Sequence, residues 1–381
     1  MTPETESELA DIIRAANAPL RIRGGGTRPI GRPVDGQPLS TAALTGIELY
    51  EPGALTLVVA AGTPVQEIDA ALDAEGQRLP FEPMDHRGLL GTTGTPTIGG
   101  VVAANVSGPR RIQCGAARDF LLGVRFVDGQ GQIIRNGGRV MKNVTGYDLV
   151  KLMAGSYGTL GVLTEVALKV LPKPQASVTL RLDGLGDERA IAALSQALAS
   201  PYEVTGAAHM QEGPDGVPVT LIRLEGFTNS VSYRADALRT LLAEFGDATL
   251  ETAPEDTEAT WQALRDITPF HGRAGTVWRL SVKPTDAPGI VAACPGCEAI
   301  YDWGGGLVWL LAPEGSDLTG AALRKKIAAP GGHATLIRGA DPDPFHPQPA
   351  PVARLEQGLR QRFDPKGILN SGLMGSVAQC R

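Results

Sequence analysis

Two stretches of this chain carry residue types that can hold an anionic or bulky ligand with backbone alone. The first is Arg23-Gly24-Gly25-Gly26-Thr27, fed by the apolar run Leu20 to Ile22. A strand leading into three glycines and a threonine offers consecutive N–H donors, a nest suited to pyrophosphate. It lacks the lysine and spacing of a Walker loop, and no G-x-G-x-x-G opens a helix, so the two common nucleotide-binding routes do not apply. The second stretch begins at Thr95. Gly99, Gly100, Ala103, Ala104, Asn105, Ser107 and Gly108 leave little side-chain bulk over ten positions. Glycine permits close approach and positive φ. Alone, the second stretch reads as a tightly turned loop in an ordinary sheet; the upstream loop shifts the balance towards a cleft with two walls.

Among side chains that move protons or bind anions, Arg279 stands out by position. Over 276–282, Trp278, Leu280 and Val282 point one way while Arg279 and Ser281 point the other. A mid-strand arginine is either a carboxylate clamp or a rim residue in a surface ion pair. His333 follows two glycines and precedes a strand bearing Arg338, and His271 follows Pro269-Phe270. Each is a proton carrier by type, or simply a structural or exposed histidine. None of the five histidines pairs at metal-ligand spacing, so no metal site is expected. Cys114, Cys294, Cys297 and Cys380 are too scattered for a disulfide framework. Cys294-Pro-Gly-Cys297 has redox or metal spacing without the further ligands, and reads as two thiols in a turn.

Stepping out to the elements, 381 residues suffice for two domains with cores of their own. A net charge of −6 without a basic stripe argues against nucleic-acid binding. Met1 to Ala10 is acidic and polar, unlike an export signal, and no apolar run approaches a membrane span. The expectation is a cytoplasmic protein that reaches a membrane only through a partner. Leu9, Ile12, Ile13 and Ala16 predict an amphipathic helix, and Leu55 to Ala61 a buried strand. Thr63-Pro64-Val65-Gln66 reads as a capping box opening a helix that Gly76 closes. Asp128-Gly129 marks a hairpin, and alternation over 162–170 predicts a strand with one buried face. Pro172 and Pro174 then mark a domain boundary. Beyond them strands and helices succeed one another as in an α+β layer with helices on one face. Val352, Leu355 and Leu359 predict a last helix stripe, and Asp364-Pro365-Lys366-Gly367 a turn that aims Asn370.

Taken together, R-G-G-G-T, the segment T-I-G-G-x-V-A-x-N-x-S-G-x-R, the R-D-F-x-x-G element and the closing G-S-Y-G-T-L-G-V-L-T-E-V resemble the FAD-binding domain of the vanillyl-alcohol oxidase/PCMH flavoproteins. Gly331-Gly332-His333-Ala334-Thr335 and Phe363 to Asn370 extend the resemblance to the FAD-binding, GlcE-type subunits of glycolate oxidase (glycolate dehydrogenase). It implies an α+β architecture: a two-subdomain FAD-binding domain over 1–172, an α+β cap over 173–345, and a tail over 346–381 packing back on the first domain. It also implies FAD contacts at Arg23, Gly24, Gly25, Gly26, Thr27, Thr97, Gly99, Gly100, Ala103, Asn105, Ser107, Gly108, Gly115, Asp119, Gly158, Gly161, Val162 and Asn370. Ser107 is equally a turn hydroxyl. Ser371 stands where relatives usually have proline.

For hydride transfer from a 2-hydroxy acid, Arg279 is the substrate-side candidate, with His333 and His271 behind it. Arg28 occupies the place where some relatives carry a histidine joined to the flavin, which implies non-covalent FAD. The H-x-G-D-G-N-x-H element of related catalytic subunits is absent, so the resemblance implies work beside a second FAD-containing subunit and an iron–sulfur subunit, in oxidation of glycolate to glyoxylate. A stand-alone flavin oxidoreductase and a non-catalytic scaffold are the rival readings.

Overall fold

The computed structural model describes residues 1–139, 146–329 and 331–375. Cys380 lies outside them. Thr5, whose side chain accepts the Glu8 amide, opens α1 (Glu6–Ala15), which buries Leu9, Ala10 and Ile13. Parallel β1 (Leu20–Arg23) and β2 (Gln37–Ser40) follow, then β3 (Ile47–Glu51) and β4 (Thr56–Ala60). Next come α2 (Val65–Asp73), β5 (Gln77–Arg78) and the short turns α3 (Arg87–Leu90), α4 (Ile98–Ala103) and α5 (Arg111–Cys114). β6 (Leu121–Val127), β7 (Ile133–Gly137), α6 (Leu149–Met153), β8 (Val162–Lys169) and β9 (Leu171–Pro172) complete the first half. Antiparallel pairing sets a five-stranded order β3-β4-β8-β6-β7, and β5 pairs with β9.

The second half contributes β10 (Ala176–Asp183), α7 (Asp187–Ala199), β11 (Val204–Met210), β12 (Val219–Gly226), α8 (Thr228–Leu241), β13 (Thr249–Glu251) and α9 (Pro254–Asp266). β14 (Thr276–Ser281), α10 (Ala287–Ala292), β15 (Glu298–Asp302), β16 (Leu307–Ala312), α11 (Gly320–Ala328), β17 (His333–Arg338) and α12 (Ala350–Phe363) follow. Among the described residues eight of these strands form one antiparallel sheet, ordered β13-β10-β12-β11-β15-β16-β14-β17. One face takes α7, α8, α10 and α11 through Leu194, Leu238, Ile290 and Leu323. The opposite face, with Met210, Leu221, Val277, Trp309 and Ile337, shares a core with Leu57, Phe81 and Phe126 of the first half. β16 therefore reads LVWLLA and is buried at every position, as a strand covered on both faces should be.

The tail closes on the start of the chain. Leu20 N–H donates to Ile368 O at 2.7 Å, and Asn370 N–H to Leu20 O at 3.0 Å, so Leu369 runs parallel beside β1.

Three local expectations need correction, and the hairpin at Asp128-Gly129 forms between β6 and β7 with a longer turn than two residues. No capping box forms at Thr63: Pro64 stands at the N-cap of α2, and the Thr63 hydroxyl bonds Gly46 instead. The Asp128-Gly129 hairpin is a five-residue loop over 128–132, in which Asp128 Oδ1 accepts the Gln130 and Gln132 amides and Gly131 carries the positive φ. β8 is buried on both faces, since Val162 packs with Leu9 and Ile13 of α1, and Ala167 with Val58 and Leu122, while Val166 and Leu168 join the main core. On α12 the stripe Val352, Leu355 and Leu359 faces outward, and the helix buries no residue.

Candidate functional site

β1 delivers Arg23 into the glycine loop, and the loop is pressed against the 94–97 segment backbone to backbone. A Cβ on Gly25 would collide with Thr95 O, one on Gly94 with Gly25 O, and one on Gly24 with the Thr97 hydroxyl. Gly26 has φ +74 and nothing within 4 Å of where a Cβ would stand, so it opens to the cleft. Among the described residues no protein group accepts the backbone N–H groups of Gly24 to Arg28. Five consecutive donors facing a cleft without acceptors are unfavourable unless water or a ligand takes them.

The opposite wall comes from α4, from the 157–162 turn and from the tail. Thr97, Gly99, Gly100, Ala103, Gly158, Gly161 and Val162 line this cleft together with Arg23 to Thr27 and Asn370. Asn370 joins the three pieces: its Oδ1 accepts Ile22 N–H at 2.7 Å and its Nδ2 donates to Tyr157 O at 2.8 Å. Not every glycine here answers to a ligand. A Cβ on Gly161 would meet the Phe126 ring at 2.6 Å, and one on Gly99 would meet Ala61 at 2.7 Å, so both are required by packing.

Next to this cleft lies an internal cavity of about 230 Å³ between the first half and β14–β17. Arg28, Ile30, Ala104 and Tyr157 line both spaces and mark their junction. Arg28 Nη1 donates to Gly100 O at 2.7 Å, and its Nε lies 3.3 Å from His86 Nδ1. Burial pulls the Arg28 guanidinium down to about 10, which leaves it charged near neutrality. Burial, and then the Arg28 charge, push His86 well below its ordinary value, so its ring is neutral. Tyr157 holds φ +52, and its phenol is raised by burial.

From the cap side β14 presents Arg279, with Trp278 and Leu280 turned to the helices, as the alternation predicts. Arg279 and Arg111 have no carboxylate within ion-pair distance among the described residues; instead their guanidinium carbons lie 5.2 and 4.5 Å from the centroid of the Trp303 ring. Burial, and then Arg111, lower Arg279 to about 10. The Trp303 indole is itself tied across the interface by donating to Gly108 O at 3.0 Å. Its backbone and those of Gly304 and Gly305 have φ of +54, +67 and +100, a run that only the following glycines make tolerable. Asp302, 4% exposed, lines the cavity as well. Burial raises its carboxyl to about 7, against the Trp303 N–H and Arg223, which favour the ionised form.

A buried ion network fastens the two halves beside this cavity. Glu225 on β12 meets Arg78 at 2.6 Å, Arg110 and Arg223, and Arg223 also meets Glu82 at 3.0 Å.

Other expected site residues fall elsewhere. Asn105, Ser107 and Gly108 line the cavity rather than the glycine cleft, and the Ser107 hydroxyl bonds Ala117 N–H and Asn105 O, its turn role. Gly115 and Asp119 line neither space: the Asp119 carboxylate accepts the Ala116 N–H in a small turn. His333 is exposed at the start of β17 against His346, and His271 Nε2 donates to Asp266 O over α3; neither lines the cavity. Reading the sequence missed His86, Arg111, Asp302 and Trp303, although Trp303-Gly304-Gly305-Gly306 is a third glycine cluster that signals a special backbone. Cys294 and Cys297 are free thiols in a turn, both raised by burial.

A model for an FAD binding domain matches residues 1–137. The glycolate oxidase subunit GlcE of Escherichia coli is 40% identical over 93% of this chain and 92% of its own length. A glycolate oxidase subunit GlcD of Bacillus subtilis is 32% identical over 47% of this chain and 38% of its own. Among solved structures, an alkyldihydroxyacetonephosphate synthase superposes with a TM-score of 0.71 at 18% identity, covering 97% of this chain and 75% of that one, a likeness of fold. No helix among the described residues is long and apolar enough to cross a membrane. The glycine-loop cleft and the likeness along nearly the whole chain place this protein in the family of PCMH-type FAD-binding proteins to which the glycolate oxidase subunit GlcE belongs.

Proposed function

We propose that this chain is the FAD-binding subunit of a multi-subunit glycolate dehydrogenase (oxidase), working with a second, GlcD-like flavoprotein and an iron–sulfur subunit in conversion of glycolate to glyoxylate. The observation that carries the cofactor part is the row of unclaimed amides from Gly24 to Arg28, opposite a wall of small residues. Such a cradle suits the pyrophosphate of FAD: the glycine loop would take its charge, and the backbone at Gly161 and Val162 would face the adenine end. The residues that line both spaces would meet the ring. FAD, when bound, would supply a two-electron acceptor able to pass electrons onward.

This chain's own groups do the remaining work. Arg28 keeps a fixed positive charge at the junction, supported by Gly100 O. Leu307, Trp309 and Ile337 give the cavity an apolar side that limits water. Arg279 is oriented by Trp303 for a carboxylate. A non-covalent cofactor follows from Arg28, whose guanidinium stands where some relatives carry the histidine joined to the flavin and cannot form that bond. Localisation to the cytoplasm, with membrane contact only through partners, completes the proposal. The Gly25→Trp, Gly100→Trp double variant, co-expressed with both partner subunits, tests it. The reading expects assembly without flavin in this subunit and a large loss of turnover; full turnover in the assembled, flavin-free subunit would overturn electron relay.

A further inference from the structure

The missing H-x-G-D-G-N-x-H element leaves this chain without the histidines of its catalytic relatives, yet its cavity is not chemically blank. Among the described residues, three guanidinium groups line it without a carboxylate in ion-pair range, Arg28, Arg111 and Arg279, while Arg265 is paired with Asp266 at 2.7 Å. Three half-buried cations without a carboxylate partner, gathered on one cavity, favour an anion there. Among the described residues that line the cavity, Asp302 is the sole carboxylate. Its Oδ1 accepts the Trp303 N–H at 2.6 Å, and Oδ2 has no protein donor. Oδ2 is not among the sealed, unpaired polar atoms, and Asp302 lines the cavity.

The next residue fixes the geometry. Trp303 turns through positive φ, anchors its Nε1 on Gly108 O and brings its ring against both Arg111 and Arg279. A single dipeptide thus sets a hydrogen-bond acceptor in a constant relation to two anion-binding groups. His86, which also lines the cavity, has its Nδ1 engaged by Met84 O at 3.2 Å and Arg28 Nε. With about 230 Å³, the space is large enough for a small acid.

We infer that Asp302 is a specificity-determining residue of this chain, receiving the 2-hydroxyl of a small 2-hydroxycarboxylate whose carboxylate lies between Arg279 and Arg111. The inference rests on the FAD-subunit reading and adds that this subunit itself meets the acid. A site built to accept a hydroxyl rejects the analogue that lacks one, because the carboxylate is then left without a donor.

The test is titration of the full, flavin-loaded chain with glycolate and with acetate, by calorimetry and by Trp fluorescence. Above about pH 7, where the Asp302 carboxyl is ionised, wild type binds glycolate about ten-fold or more tighter than acetate, the scale expected for one hydrogen bond to a charged group. Asp302→Ala brings the two acids to within about two-fold of each other while still binding both, and Arg279→Met weakens both by about ten-fold or more. Asp302→Asn, which keeps an acceptor oxygen and the shape, retains part of the preference and reports on folding. Equal binding of the two acids by wild type, or a preference unchanged in Asp302→Ala, overturns the inference. The flavin absorbance of the same samples separates the two readings. Protein without FAD counts against the cofactor reading, whereas FAD-loaded protein that ignores the hydroxyl counts against Asp302 alone.

Discussion

Replacing Glu225 by Gln asks how firmly the cap is fastened over the cavity. The carboxylate is 5% exposed at the side chain and bears on Arg78, Arg110 and Arg223, two of which belong to the first half. Burial works to raise its carboxyl, but Arg223, Arg78 and Arg110 overcome this and hold it at about 2, below its ordinary 4.5. At 1.36 kcal/mol per pKa step, that fall corresponds to about 3 kcal/mol of folded-state preference for the ionised form. Removing the charge also strands the buried guanidinium groups, which places the loss in the range of about 3–5 kcal/mol. For a chain of 381 residues the entropy of unfolding is about 0.8 kcal/mol per degree, so Glu225→Gln lowers Tm by about 4 °C or more near neutrality.

The sign with pH follows from the depressed value. The stabilisation is complete above 4.5 and is lost as pH falls through about 2, so the gap between wild type and variant is constant near neutrality and narrows in acid. Scanning calorimetry of both proteins from about pH 7 to about pH 3 measures this. A variant melting within about 1 °C of wild type, or a gap that does not narrow in acid, refutes the network as a clasp.

Other outcomes follow from the same coordinates. Gly25→Ala, whose Cβ would run into Thr95 O, loses bound FAD by absorbance, whereas Gly53→Ala, with nothing within 4 Å, keeps it. Asn370→Ala removes the tie between Ile22 and Tyr157 and weakens FAD binding at a cost of about 1–3 kcal/mol in stability, read by flavin release and thermal melting. Asp302→Asn stabilises the chain more at alkaline than at acid pH. Because its carboxyl is raised to about 7, the folded state holds a proton that the unfolded state has released, so the wild type loses stability as pH rises from 3.8 through 7. Leu355→Glu on α12 leaves Tm within about 1 °C of wild type, since that side chain is 70% exposed.

The parts legible in the sequence are those whose meaning is local. Gly24 to Gly26 announce a backbone cradle because a Cβ would collide with Thr97 at Gly24 and with Thr95 at Gly25, while Gly26 needs its positive φ, and alternation along 276–282 places Arg279 on the inner face. The cavity was not legible, because it draws single residues from remote segments: His86 before α3, Arg111 on α5, Tyr157 in a turn, Asp302 at the end of β15. Only the fold gives those positions a common address. Periodicity misled on α12, where the apolar stripe is left exposed and the helix buries no residue. At Thr63 a favourable local motif yielded to a tertiary contact, the bond to Gly46.

The most direct measurement is the flavin content of the gently purified native chain. Five unclaimed amides facing a small-residue wall predict about one FAD per chain, released intact on acid denaturation. A colourless protein that takes up no added FAD, with its glycine loop intact, would contradict the account.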